Sequence, residues 1–482
     1  KSTTTTTPAA LAEPSIYQLE LLPRNIVKMR STVTYPARLT ELLASDLDFH
    51  GYDTGYASHD FHAFPAKFPP QLPRKFIRHL MMPGDTVLDP MMGSGTTVVE
   101  GYLAGCTAIG VDIDPLAKLI TKVKTTPIDP EALTSVFHQV VKNAGERIEH
   151  ARSELIGELE RRWDTKTTEF IEYWFAKETQ VELLAIIQEI ERIENDEIRA
   201  FFLLSFSACI ITKTGGVSLA FDLAHTRPHR AKIAFAPSGA LVVGKELLDD
   251  TSPRVKFLTK NIRSTLTEFR KRVQQNINSL IELPHDVTPT RVYQADAQQL
   301  PLADNSIDLI VTSPPYAVNA IDYMRANKFS LVWLGYSLDE LGETRKSCIG
   351  GESINAFSFT ELPSHTRQIV DDVVCLDLKR GQSLHRYYSE MARILREMYR
   401  VLKPDRAAVV VVASSVIRDR DTETDKCLAE IGKSIGFEVP HIGIRHLDRN
   451  RRMMPAGHKI DGNSQIQKRM HEEFVIGFYK PH

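Results

Sequence analysis

Cysteine is scarce and scattered. The five residues Cys106, Cys209, Cys348, Cys375 and Cys427 form no C-x-x-C pair. This argues against a zinc ribbon or a vicinal redox couple, and no metal is expected. So few thiols suit a reducing, cytoplasmic setting. Long apolar runs are missing too. The longest, roughly residues 200–211, is interrupted by Ser205 and Ser207. It falls short of the about 20 apolar residues that a membrane span needs. No signal-peptide pattern is visible, and the first residue is Lys1 rather than Met, so the natural start is expected upstream. An excess of one charge is also absent, because 59 Lys and Arg against 61 Asp and Glu leave a formal net charge of −2. Any contact with nucleic acid must therefore come from a local basic surface. With 42% hydrophobic and 25% charged residues, the composition excludes a mostly disordered or fibrous chain. A length of 482 residues allows about three domains or one enlarged one.

The clearest pattern begins near Pro83. Residues Thr86 to Asp89 read as a short buried strand, Gly93-Ser94-Gly95 as a tight loop, Thr96 to Ala104 as a helix and Thr107 to Asp112 as a second strand. This unit opens a doubly wound α/β sheet. The rhythm then stops. Residues 131–162 and 178–212 have helical periodicity, residues 214–245 look like loops with a hairpin, and residues 254–283 look helical. Strands resume at Arg291 to Asp296 and Ile307 to Thr312. A helix over 389–402 leads into the apolar run Ala407 to Ala413, a central-strand signature, and Glu473 to Tyr479 reads as the last strand. Residues 1–14, rich in Thr, Ala and Pro, are expected to be disordered.

Four motifs carry chemistry, all at strand ends. Asp89-Pro90-Met91-Met92-Gly93-Ser94-Gly95 places a carboxylate before two glycines. It lacks the Gly-Lys-Ser/Thr of a P-loop, and Val98 stands where a dinucleotide fingerprint needs its third Gly. It suits a smaller ligand with an amino group near the carboxylate, or is a plain tight turn. Asp112 ends the next strand about 20 residues on, where an acid can hold ribose hydroxyls. It could equally be a helix cap, a role open also to Asp114 before Pro115. In Ala295-Asp296-Ala297, Asp296 could accept from an adenine amino group or cap a turn. Ser313-Pro314-Pro315-Tyr316 follows its strand directly. Two prolines fix a backbone that has no N–H to donate, so carbonyls and a hydroxyl are presented as acceptors beside a flat aromatic face.

Together these residues resemble the S-adenosylmethionine-dependent DNA amino-methyltransferases, which modify cytosine N4 or adenine N6. Asp89 to Gly95 is similar to their cofactor motif, Ser313 to Tyr316 to their catalytic motif, and Phe64-Pro65-Ala66-Lys67-Phe68-Pro69 to an additional motif on the cofactor side. The resemblance covers about residues 60–126 and 288–482. It implies a Rossmann-like methyltransferase sheet with a large, mainly helical insertion. The expected divisions are an N-terminal segment 1–60, a cofactor half 61–126, an insertion 127–287 that is a candidate target-recognition region, and a catalytic half 288–482. The insertion is expected because Asp112 and Asp296 stand far more than one βαβ step of about 30 residues apart. Cofactor motifs ahead of the catalytic motif resemble the family's alpha-type order, except that Asp296 lies beyond the insertion.

The resemblance implies S-adenosyl-L-methionine held by Lys67, Phe68, Asp89, Met91, Gly93, Gly95, Thr96, Asp112, Ile113, Asp296 and Ala297. Catalysis would fall to Ser313, Pro314, Pro315 and Tyr316. A Ser in the first motif position leans within this family toward cytosine N4, with adenine N6 as the alternative. An RNA base methyltransferase and a non-catalytic specificity subunit are further rivals. Ring-carbon methylation is disfavoured, because that family needs a Pro-Cys nucleophile and no Cys here follows Pro. The partner is double-stranded DNA, with a possible cognate restriction endonuclease. Two basic segments could face DNA: Arg445, Arg449, Arg451, Arg452 and Lys459 in one, Arg227 and Arg230 in the other. Asn319 to Tyr323 either lines a base pocket or starts a helix.

Overall fold

A central seven-stranded sheet organises the molecule. The computed structural model describes residues 33–82, 84–221, 223, 228–280, 283, 288–317, 322–350, 357–447 and 472–482, and residues Tyr35 to His482 form one compact unit. In chain order the sheet strands are β1 (Thr86–Asp89), β2 (Thr107–Asp112), β3 (Arg291–Gln294), β4 (Ile307–Thr312), β5 (Leu402–Val412), β6 (Ile442–His446) and β7 (Glu472–Lys480). Their spatial order is β6-β7-β5-β4-β1-β2-β3. All neighbouring pairs from β3 across to β5 are parallel, whereas β7 is antiparallel to both β5 and β6. This is the expected doubly wound, Rossmann-like α/β sheet. Its strand order reverses between β1 and β4, which pair as Val87 with Leu309 and Leu88 with Ile310. Ligands of such sheets bind outside the carboxyl ends of the strands at that reversal.

The central strands are buried along most of their length, polar residues such as Asp308 of β4 included. Every residue of β4 is buried, as is Ala407 to Val412 of β5, because helices cover both faces. One face packs under α1 (Tyr35–Ala44) and α2 (Gln71–Leu80), with Leu39, Leu43, Phe76 and Val409 in its core. The other packs Ile310, Val410 and Ile476 against Tyr387, Met391 and Leu428 of later helices. β5 begins earlier than its apolar run, at Leu402, and its register shifts between Leu402 and Ala407, where Pro404 and the left-handed Asp405 (φ 57°) break the ladder. The preceding helix is also longer than periodicity suggests, spanning Leu378–Val401. Asp377 caps it, and Gly381 sits where a Cβ would come within 2.5 Å of Val374.

After β1 comes α3 (Thr96–Leu103), and after β2 comes α4 (Pro115–Lys124). The chain then leaves the sheet for α5 (Pro130–His150), α6 (Arg152–Arg162), α7 (Thr165–Trp174), α8 (Lys177–Glu191) and α9 (Asp196–Ile210). Short strands follow at Ile233–Phe235 and Leu241–Val243, then a five-residue helix α10 (Pro253–Phe257), a strand at Thr259–Asn261 and α11 (Thr265–Leu280). The stretch read as one helix over 254–283 is thus broken by a β-strand at Thr259–Asn261, which pairs with Ile233–Phe235. Residues 1–14 lie outside the described residues. Among the described residues no helix is long and apolar enough to cross a membrane.

Candidate active site

The four strand-end motifs meet at the carboxyl edge of the sheet. Asp89 closes β1 and is buried. Its Oδ1 accepts from the Thr312 hydroxyl at the end of β4 (2.7 Å) and from the Met91 N–H (3.2 Å), and burial pushes its carboxyl up to about 6. Asp112 closes β2. Its Oδ2 accepts from the Gly93 N–H (2.8 Å) and its Oδ1 from the Asp114 N–H (2.9 Å). Burial, reinforced by the neighbouring Asp114 charge, pushes Asp112 up to about 7. Asp114 caps α4 through the Leu116 N–H and also accepts from the Asn327 amide. Asp296, just past β3, accepts from the Gln298 N–H at 2.9 Å.

The glycines have distinct reasons. Gly93 has φ 48°, and a Cβ there would meet the Phe64 ring at 3.0 Å. Gly95 has φ 76°, and its Cβ would lie 2.5 Å from Thr121 of α4. Gly93 therefore opens space beside a ring, while Gly95 lets loop and helix pack closely. The loop is held from behind by the buried Lys124, whose Nζ donates to the Ser94 carbonyl (2.9 Å) and the His59 carbonyl (3.2 Å). His59 and the Tyr56 hydroxyl both bond Glu100 of α3, and the Lys67 ammonium donates to the His59 carbonyl (3.0 Å). The insertion braces the same segment. His62 Nε2 lies 2.9 Å from the Ser207 hydroxyl of α9, and the Asn276 amide of α11 reaches the Phe61 carbonyl and Ser205. Burial pushes His62 down to about 3, so it is neutral, with Nδ1–H donating to the Ala63 carbonyl.

These elements enclose a cavity of about 570 Å³, within the usual range for small-molecule sites. Asp89, Met91, Gly93 and Thr96 line it from the β1 side, Asp112 and Ile113 from β2, and Asp296 and Ala297 from β3. Lys67 and Phe68 line it from the segment before α2, and Ser313 and Pro315 from the end of β4. Gly95, Pro314 and Tyr316 are not on its wall. Opposite the glycine loop, Phe64 stacks on Tyr323 with ring centroids 5.2 Å apart and planes 19° apart. Tyr323 both lines the cavity and opens helix α12 (Tyr323–Leu331), so both readings of that residue hold; Asn319, Ala320 and Ile321 lie outside the described residues. The lining fits S-adenosylmethionine: the carboxylates of Asp89, Asp112 and Asp296, with Asp114 and Asp322 beside them, for a cationic ligand with hydroxyls and amines, a glycine without the Cβ that would narrow the cavity, and an aromatic wall.

The catalytic-motif loop is anchored from afar. The Tyr316 hydroxyl donates to Glu473 of β7 (2.7 Å), and it also has a hydrogen-bond contact with Ser313. Burial and the Glu473 charge hold the Tyr316 phenol well above its ordinary range. The Ser415 hydroxyl donates to the Ala317 carbonyl (2.8 Å). Glu473 in turn pairs with Arg445. This corrects one expectation: Arg445 is 7% exposed and committed to Glu473, because β6 and β7 pair Arg445 with Glu473 across the sheet, so it presents no free guanidinium to DNA. Arg230 is partly exposed; its guanidinium donates to the Tyr173 carbonyl (2.7 Å) and covers the Tyr173 ring. Arg227, Arg449, Arg451, Arg452 and Lys459 lie outside the described residues. Sequence reasoning missed Glu473, Glu100 and Asn327 as partners; each acts across more than forty positions of chain, and no local pattern marks it.

Comparison with known proteins agrees with this geometry. Residues 46–122 match the family model for N6 and N4 DNA methylases. The chain is 25% identical over 411 residues to the type II methyltransferase M.MvaI of Kocuria varians, covering 82% of this chain and 85% of that protein. It is 21% identical over 480 residues to the type II methyltransferase M.BsoBI of Geobacillus stearothermophilus, covering 88% and 86%. Among solved structures, a SAM-dependent methyltransferase of Methanosarcina mazei aligns over 84% of this chain and 97% of its own, with 12% identity and a TM-score of 0.28, an overlap too loose to carry an argument. Over most of its length the chain is thus similar to type II DNA methyltransferases, and its residues 46–122 match the N6/N4 DNA methylase family.

Proposed function

We propose that this protein methylates the exocyclic N4 amine of a cytosine extruded from a specific sequence in double-stranded DNA. The observation that supports this most is that Ser313 and the Asp89-to-Gly95 loop, distant in the chain, line one cavity at the sheet's switch point. Asp89, Asp112 and Asp296 would hold the cofactor's amino group, ribose and adenine in turn, with Lys67, Phe68 and Met91 completing the wall. When bound, S-adenosylmethionine supplies an activated methyl group on a sulfonium.

An aromatic amine is a weak nucleophile, because its lone pair is delocalised into the ring. The Ser313 hydroxyl and the Pro314 carbonyl would accept hydrogen bonds from that amine, favour a pyramidal nitrogen and stabilise its developing positive charge. Tyr316, its hydroxyl fixed on Glu473, would offer its ring to the base. The base must leave the duplex to reach this depth. Much of the rate would come from positioning. The lean to cytosine rests on Ser313 in the first motif position. The relatives' names as type II methyltransferases support a restriction-modification setting; a cognate endonuclease and a cytoplasmic location would suit that setting.

Expression in a methylation-free bacterial host, followed by nucleoside mass spectrometry of the DNA, tests the reading. N4-methylcytosine is the expected product. N6-methyladenine would replace the cytosine assignment, and unmodified DNA from a host making folded protein would overturn the function.

A further inference from the structure

Beside the cavity, on the side of the insertion, lies a second and shallower groove of about 350 Å³. It is lined by Trp174, Pro228, Arg325, Lys328, Phe329 and Arg345. Arg325 and Arg345 line the deep cavity as well, so the two spaces share a rim. Three of the six groove residues are cations and none is acidic. Arg325 and Lys328 stand three positions apart on α12 and so share a face. Arg345 comes from the next helix, α13 (Leu338–Ser347). One carboxylate, Asp322, is shared by both guanidinia, with Oδ2 2.8 Å from Arg325 Nε and 2.6 Å from Arg345 Nε. It aligns them while neutralising only one charge. Among the described residues Lys328 has no carboxylate in ion-pair contact. Its ammonium stands over the Phe170 ring of α7 at 5.0 Å, and burial together with the Arg345 and Arg325 charges lowers its affinity for its proton. The floor is aromatic, with Trp174 against Phe329 at 4.9 Å between centroids.

We infer that this groove binds the phosphodiester backbone of the target strand next to the extruded nucleotide, with Lys328 and Arg345 contacting phosphate oxygens. The inference rests on the function proposed above and adds where the strand is held. Charge complementarity selects the occupant: a rim with three cations and, among the described residues, no carboxylate on its own walls attracts a polyanion. Its continuity with the cavity places that polyanion where a nucleotide would enter. Neither basic segment singled out in the sequence contains Lys328 or Arg345: α12 carries only two cations, Arg325 and Lys328, too few to mark a basic run, and α13 mixes its cations with Asp339, Glu340 and Glu343.

The test is fluorescence-anisotropy binding of a duplex carrying the methylation site, with S-adenosylhomocysteine present, across a salt series. Lys328→Gln and Arg345→Gln should each weaken binding about tenfold near 0.1 M salt and lower the slope of log K against log salt by about one. Lys328→Arg should restore both, and Lys142→Gln on α5, an exposed lysine paired within its own helix, should leave both unchanged. Wild-type slope and affinity in both Gln variants, from a parent protein that methylates DNA, would overturn the groove assignment alone. A parent protein that binds and methylates no DNA would overturn the underlying function and the groove with it.

Discussion

The two halves of the candidate active site are held by different means. On the cofactor side, each carboxylate is fixed by neighbours in the chain or on the adjacent strand: Asp89 by Met91 and Thr312, Asp112 by Gly93 and Asp114, Asp114 by Leu116. On the catalytic side, Tyr316 depends on Glu473, Glu473 on Arg445, and Tyr323 on Phe64, all across large separations in sequence. The bonds of Asp112 to Gly93 and Asp114 need only β1, β2 and the turns after them, whereas the Thr312 bond to Asp89 adds β4 and the Asn327 bond to Asp114 adds α12. The catalytic loop acquires its shape only when β6, β7 and the segment before α2 are in place. Changes on the first side should therefore act on cofactor affinity, and changes on the second on turnover.

Ser313→Ala is the sharpest way to break that contrast. It should lower kcat by roughly 100- to 1000-fold, the scale of losing one acceptor aimed at developing charge. Cofactor Kd, read by calorimetric titration, should stay within about twofold. Undiminished turnover would remove Ser313 from the mechanism. Asp112→Asn should do the reverse, weakening cofactor binding by roughly 10- to 100-fold, the scale of a hydrogen bond to a charged group, while kcat at saturating cofactor stays near wild type.

The same residue predicts a pH dependence. Its folded carboxyl titrates near 7, whereas an unfolded one titrates near 3.9. Between those values the folded, ligand-free chain holds the extra proton, so this group's contribution to stability falls as pH rises through the window. The ionised carboxylate is the stronger acceptor for ribose hydroxyls, so cofactor affinity should rise from pH 5 to 8 in the parent and be flatter in Asp112→Asn. A parallel rise in both proteins would show that another group controls it.

Glu473→Gln should lower kcat about tenfold by loosening Tyr316 and leave cofactor affinity alone; an equal loss in both would merge the two halves. The smallest effect is expected from Gly95→Ala. The left-handed backbone and the Thr121 contact should reduce stability by ~1–3 kcal/mol in thermal unfolding, with activity retained below the transition.

This contrast also explains what could be read from the residues alone. The apolar stretches Leu309 to Val311 of β4 and Ala407 to Val412 of β5 and the Asp-x-x-x-Gly-x-Gly turn are local signals, and the doubly wound sheet followed from them. The Asp114 cap was visible in Asp-Pro. The start of β5 was not, because its first pairing, Leu402 with Ile307, precedes a break at Pro404 and Asp405 that local reading takes for a loop. Arg445 looked like part of a basic surface because its neighbours in sequence are basic. Its partner Glu473 becomes visible only when β6 pairs with β7. Asp322, which aligns Arg325 and Arg345, sits in a segment whose sequence reads equally as helix or pocket.

A crystal structure with bound S-adenosylhomocysteine addresses the shared pocket itself. The ligand's ribose should rest on Asp112, its amino group should approach Asp89, and its sulfur should face Ser313 across open space. A ligand seated away from the Gly93 loop, or a sulfur with protein packed between it and Ser313, would contradict the account.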